Sequence, residues 1–193
     1  RSCWRDVAAR TLERLGLSDG AEALLPPDAV PPPWGASDNL HFRAVEGTRR
    51  DDNPEVRGAA ARECLAGVRE EFGLGLELWT DGSAKAGTEC GGGGFVVVGD
   101  GWEEEGSVAA GKICSSTAAE AAALVAGLER LQDLDGGGGA GAPGVLVAFD
   151  SRALFDRLRL ARQCLDASSA AALRMLRSRA VDSTVVVLWV RQP

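Results

Sequence analysis

The sequence predicts an α/β fold: a five-stranded mixed sheet, three antiparallel strands followed by parallel ones, flanked by helices. Three observations carry this. Residues 75 to 113 alternate in strand fashion between glycine-rich breaks, residues 118 to 134 form an Ala- and Leu-rich helical run, and from residue 145 the order becomes strand, helix, helix, strand.

At 193 residues, 45% hydrophobic and 25% charged, the chain has the composition of a globular body with one full core and an appendage. No apolar run reaches the roughly 18 residues of a membrane span, which argues against a membrane partner. The opening RSCWRD resembles neither a signal peptide nor a start, so an internal fragment is expected. Cys3, Cys64, Cys90, Cys114 and Cys164 lack CxxC spacing, and the single histidine, His41, is remote from them. This disfavours zinc and disulfide frameworks and favours a reducing compartment, intracellular and either nuclear or cytoplasmic.

The net charge of −7 is unevenly spread. Residues 75 to 150 hold 12 acids and 3 bases, residues 151 to 193 hold 3 acids and 8 bases. Such a chain can place metal-binding carboxylates in one region and phosphate-binding arginines in another, so the acidic total does not exclude nucleic acid.

Taken in order, residues 1 to 74 read as a connector. They contain a helical pattern at 4 to 15, a proline-rich extended linker at 26 to 33 and a short helix from 53 to 68 with Asn53 as N-cap and Pro54 at its first position. The domain proper is expected at 75 to 193. LELWTDG reads as a first strand ending at the Asp81–Gly82 turn, and the glycines at 91 to 94 as a turn before FVVVGD. A third strand is expected from 106 to 113. Ser115, Ser116 and Thr117 offer N-caps to a helix from 118 to 134 whose first turn holds Glu120. VLVAFDS reads as a buried strand ending in Asp150, followed by helices at 151 to 164 and 167 to 180 and the strand STVVVLWV.

Asp81, Glu120 and Asp150 thus fall at ends of elements in one α/β unit, where open sheets collect functional groups. Singly, each is accounted for as a turn residue, a helix-dipole partner or an N-cap. Together, converging carboxylates repel unless cations lie between them, and Mg²⁺ is bound by few carboxylates with water and phosphate. Two such ions about 4 Å apart suit in-line displacement at a phosphodiester.

The segments WTDGSA, SSTAAEAAAL, VAFDS and VVVLWV, at 79 to 84, 115 to 124, 147 to 151 and 185 to 190, resemble in order and spacing the type 1 ribonuclease H domain of non-LTR retrotransposons. PPPW and RRDDNPEVR are similar to the linker before that domain in ingi-like elements. The resemblance covers residues 75 to 193. It implies a ribonuclease H-like fold and hydrolysis of the RNA strand of RNA–DNA hybrids with two Mg²⁺ ions, for which Mn²⁺ can substitute. Asp81, Glu120 and Asp150 would be catalytic metal ligands. Gly82, Ser83, Ser116 and Thr117 would contact the hybrid, where hydroxyls and amides near a 2′-OH distinguish RNA from DNA by shape. Ser116 and Thr117 serve equally well as caps.

Arg152 and the arginines up to Arg179 would face the DNA strand's phosphates, or else form a solvated helical face. The family pattern continues with a His-containing loop and a helix bearing a fourth acid, so the chain is expected to be truncated before its last helix. An adjacent reverse transcriptase is an expected partner. The alternatives from other classes are a catalytically inactive relic that only binds nucleic acid and a DNA-cutting relative of the same superfold.

Overall fold

The structure is a computed structural model describing residues 38–47, 51–135, 142–160 and 166–191. Its elements run β1 (Leu40–Ala44), α1 (Pro54–Phe72), β2 (Leu74–Lys85), β3 (Glu89–Gly99), β4 (Trp102–Ile113), α2 (Ser116–Leu134), β5 (Gly144–Phe149), α3 (Arg152–Leu160), α4 (Ala167–Asp182) and β6 (Val185–Trp189). The strands form one sheet in the order β1-β6-β5-β2-β3-β4. β2, β3 and β4 are antiparallel, while β5 and β6 run parallel to β2. The expected mixed α/β class is met.

The strand count is not. Among the described residues the sheet has six strands rather than five, because β1, read in the sequence as connector, pairs in parallel with β6 from Leu40↔Val185 to Ala44↔Trp189. LHFRA escaped the sequence reading because a short edge strand, hydrogen-bonded on one side only, can carry His41 and Arg43 and lacks a buried strand's apolar run. The helix expected at 4 to 15, the proline-rich linker, Cys3, Cys164 and the end of the helix expected at 151 to 164 lie outside the described residues.

α1 begins as its sequence demands: Asn53 Oδ1 accepts from the Glu55 N–H at 2.9 Å and proline occupies the first turn. It runs to Phe72, four residues beyond expectation, and stops at Gly73, whose φ of +58° is the left-handed cap conformation. α1 lies on one face of the parallel strands, where Val68, Leu65 and Cys64 pack with Leu146, Ala148, Val186 and Leu188. α2, α3 and α4 cover the other face, around Leu78, Leu124, Val147, Leu173, Leu176 and Val187. Burial on both faces explains why VLVAF and VVVLW are continuously apolar instead of alternating.

Two further expectations need correction. The glycines at 91 to 94 are not a turn; they lie inside β3, and the turn is Ala86–Gly87–Thr88, with φ of +51° and +78° at its first two residues. A Cβ on Gly93 would fall 2.6 Å from Ala123 Cβ, so the glycine exists to let α2 lie close on the strand. Likewise β4 begins at Trp102, not at residue 106. Its glutamates alternate in strand fashion: Glu104 turns toward α2 and pairs with Arg130 at 2.5 Å, while Glu105 faces the open side.

Candidate active site

Because β3 continues through its glycines, β2 does not end at Asp81 as expected. Asp81 pairs with Gly94, Gly82 with Gly93 and Ser83 with Gly92 before the strand stops at Lys85. In β2, Leu76 and Leu78 belong to the α2 side and Trp79 to the opposite side. By alternation Asp81 shares the face of Trp79 and is exposed there.

Glu120 arrives from the other side. α2 is capped by Ser115, whose hydroxyl accepts from the Ala118 N–H at 3.1 Å. Glu120 is therefore the fifth helical residue, not a first-turn residue, and it is only 5% exposed. What brings it to β2 is Gly82: a Cβ there would lie 2.3 Å from the Glu120 nitrogen and 2.5 Å from the Ala119 carbonyl carbon. Only glycine tolerates that approach, and it also lets the Gly82 N–H donate to the Glu120 carboxylate.

Asp150 follows β5 directly, as expected, and is half-buried. Its backbone carbonyl accepts from Trp189 Nε1 at 2.8 Å, and the Val190 N–H donates to Phe149 O at 3.0 Å. These two bonds tie the end of β6 to the segment carrying the acid.

The three carboxylates meet. One oxygen from each of Asp81, Glu120 and Asp150 lies within 4.8 Å of the others. Burial, a hydrogen bond with Asp150 and the negative charges of Asp150 and Asp81 push the Glu120 carboxyl up to about 8, partly offset by the Gly82 N–H. Glu120 Oε2 is buried with no hydrogen-bond partner. A buried acceptor without a donor, on a residue whose carboxylate meets two others, suits a hard divalent cation, and oxygen-only ligation suits Mg²⁺ or Mn²⁺ rather than a soft metal. Asp81, Glu120 and Asp150 are the residues that would hold it.

The remaining predicted residues sit on the elements that carry or follow the three acids. Gly82 and Ser83 continue β2 beyond Asp81, and Ser116 and Thr117 open α2, the first exposed and the second half-buried. Arg152 starts α3; it pairs with Asp156 at 2.9 Å and lies over the Trp189 ring, 4.8 Å from its centroid.

The expected arginine face from Arg152 to Arg179 is not one surface. Arg179 is buried and bonded to Asp135, Ser183 Oγ and the Pro143 carbonyl, and Arg157 pairs with Asp166 at 2.7 Å. The sequence reading missed Trp79, Trp189 and Arg191 beside the site. The first two lie inside motifs that were read, and a polar partner for each indole N–H was the signal to look for: Glu77 takes that of Trp79.

On the side away from α2 an open groove of about 710 Å³ leads from Asp81 across β3 and β4, lined by Trp79, Gly94, Val96, Glu105 and Ser107. Its floor is low because Gly94, paired with both Asp81 and Ser107, has no side chain.

No family model matches the sequence, and no curated protein matches it. Solved structures do. The chain is similar to the RNase H1 of the halophilic archaeon Halobacterium salinarum NRC-1, at 21% identity and a TM-score of 0.45 over 58% of this chain and 82% of that one. It is similar to the N-terminal RNase H domain of Rv2228c from Mycobacterium tuberculosis, at 20% identity and 0.46 over 60% and 86%. A third is LC11-RNase H1, isolated from compost by a metagenomic approach and solved in complex with an RNA/DNA hybrid, at 19% identity and 0.48 over 61% and 86%.

Proposed function

We propose that the chain is a metal-dependent endonuclease that hydrolyses the RNA strand of RNA–DNA hybrids. The observation that carries this is the convergence of Asp81, Glu120 and Asp150 within 4.8 Å, with a buried, unpartnered oxygen on Glu120. Such a cluster is built for divalent cations, two in this reading, which when bound lower the pKa of an attacking water and neutralise charge on the leaving oxygen. The protein's own part is to hold ligands rigid: Gly82 fixes Glu120 by its N–H and close contact, and Trp189 fixes the backbone of Asp150.

The choice of hybrid as substrate is supported by the ordered TDGS, SSTAAE and FDS segments. Gly82, Ser83, Ser116 and Thr117 are proposed to meet the 2′-OH side of the RNA, and Arg152 a backbone phosphate. The groove leaving Asp81 is open enough for a polymer strand. The same segments support a retrotransposon polyprotein with a neighbouring reverse transcriptase.

The test is cleavage of an end-labelled hybrid in Mg²⁺ and in Mn²⁺, with Asp81→Asn and Asp150→Asn beside the wild type. The expected result is scission of the RNA strand alone, abolished in both variants. Hybrid binding without any cleavage would replace the enzyme by a binding relic, and cleavage of duplex DNA would move the chain to another nuclease class.

A further inference from the structure

On the α1 side of the sheet, a second, smaller cleft of about 190 Å³ opens between the ends of β2 and β5. Asp81 and Asp150 line it, and so does one cation, Arg191, just beyond β6. The position of Arg191 is built. Its guanidinium carbon lies 5.2 Å from the centroid of the Trp189 ring, which also carries Arg152 at 4.8 Å. Trp189 is only 8% exposed and bonded to the Asp150 carbonyl, and Val190 is bonded to Phe149. The indole is thus a fixed platform that sets a guanidinium beside the carboxylates.

The electrostatics call for such a group. Three carboxylates repel a polyanion, and cations seated among them act chiefly on the phosphate they touch, since screening confines their reach. A neighbouring phosphate needs its own partner. Arginine supplies one, because its planar N–H fork matches phosphate oxygens and its weakly hydrated face tolerates stacking on an aromatic ring.

We propose that Arg191, held on Trp189, binds the backbone phosphate next to the one at the carboxylates and so positions the nucleic acid strand. This rests on the nuclease reading above.

The test is binding of a fluorescent RNA–DNA hybrid by anisotropy over a salt series, in Ca²⁺ and in EDTA, for wild type, Arg191→Ala and Arg191→Lys, with thermal melting in parallel. Loss of one phosphate contact predicts a weakening of about three- to tenfold for Arg191→Ala and a salt slope smaller by about 0.9. Arg191→Lys keeps the slope and recovers part of the affinity, since it retains charge but not the fork. An unchanged slope and affinity in Arg191→Ala overturns the proposal. So does a weaker affinity with the slope intact and a lower melting temperature, which makes Arg191 a packing residue only. An unchanged slope with a larger Mg²⁺-induced thermal shift also overturns it, because Arg191 then only offsets the acids. A wild type that neither binds nor cleaves hybrid removes the nuclease reading itself, and this inference with it.

Discussion

Gly82 and Glu120 are in backbone contact: a methyl group on residue 82 would lie 2.3 Å from the amide nitrogen of residue 120. The obstacle is main chain, so no rotamer change relieves it. Gly82→Ala is therefore expected to push the start of α2 off β2, at a cost of about 1–3 kcal/mol. Chemical denaturation with and without Mg²⁺ checks this: stability should fall and the Mg²⁺-induced gain should shrink as well. A stable variant with an undiminished Mg²⁺ response would show that the contact does not set the site.

Glu120 makes the metal-free protein sensitive to pH. Its carboxyl is raised from an ordinary 4.5 to about 8, so the folded state binds this proton more tightly than the unfolded state. The resulting stability is fully present below about 4.5 and is lost as pH rises through about 8. Melting temperatures without metal should decline across that window, whereas Mg²⁺, taking the proton's place among the carboxylates, should stabilise progressively more as pH rises. Glu120→Gln should flatten both trends; persistence of the decline in that variant would assign it to another group.

Far from the acids, Arg179 bonds Asp135 at the end of α2, the Pro143 carbonyl ahead of β5 and Ser183 before β6. The ion pair is buried, with 5% and 12% of the two side chains exposed. Arg179→Ala takes the guanidinium out of this buried ion pair and is expected to cost about 3–5 kcal/mol in urea unfolding. Pairing it with Asp135→Asn should return part of that loss. A double variant as unstable as the single one would place the cost in packing instead.

Trp189→Phe keeps an aromatic ring under Arg152 and Arg191 but deletes the N–H bonded to the Asp150 carbonyl. A loss of about 1 kcal/mol is expected for that hydrogen bond. Hybrid cleavage should fall by more than hybrid binding does, because the bond steadies a metal-ligand segment rather than the nucleic acid. Equal losses in the two assays would count against that role.

Much of this was legible in the sequence because the informative residues report their own surroundings. VLVAF and VVVLW state burial on both faces, and Ser115 and Asn53 punctuate helices by local hydrogen bonding. The three acids could be picked out because each adjoins such a landmark. The rest depended on distant partners. Gly93 looks like a turn residue until Ala123 is laid over it, and Glu104 like part of a charged loop until Arg130 is opposite. Nothing in LHFRA announces that its partner strand is VVVLW. Arg179 reads as a surface cation until Asp135 folds onto it.

The pairing of Leu40 with Val185 joins nearly the first described residue to nearly the last. During vectorial synthesis β1 and α1 leave the ribosome long before β5 and β6 exist, so the apolar stripe of α1 must wait uncovered while the antiparallel strands assemble from local contacts. The order of birth and the order of assembly are therefore opposed in this half of the sheet. Of the described strands, the first to be made has no partner until the last one exists.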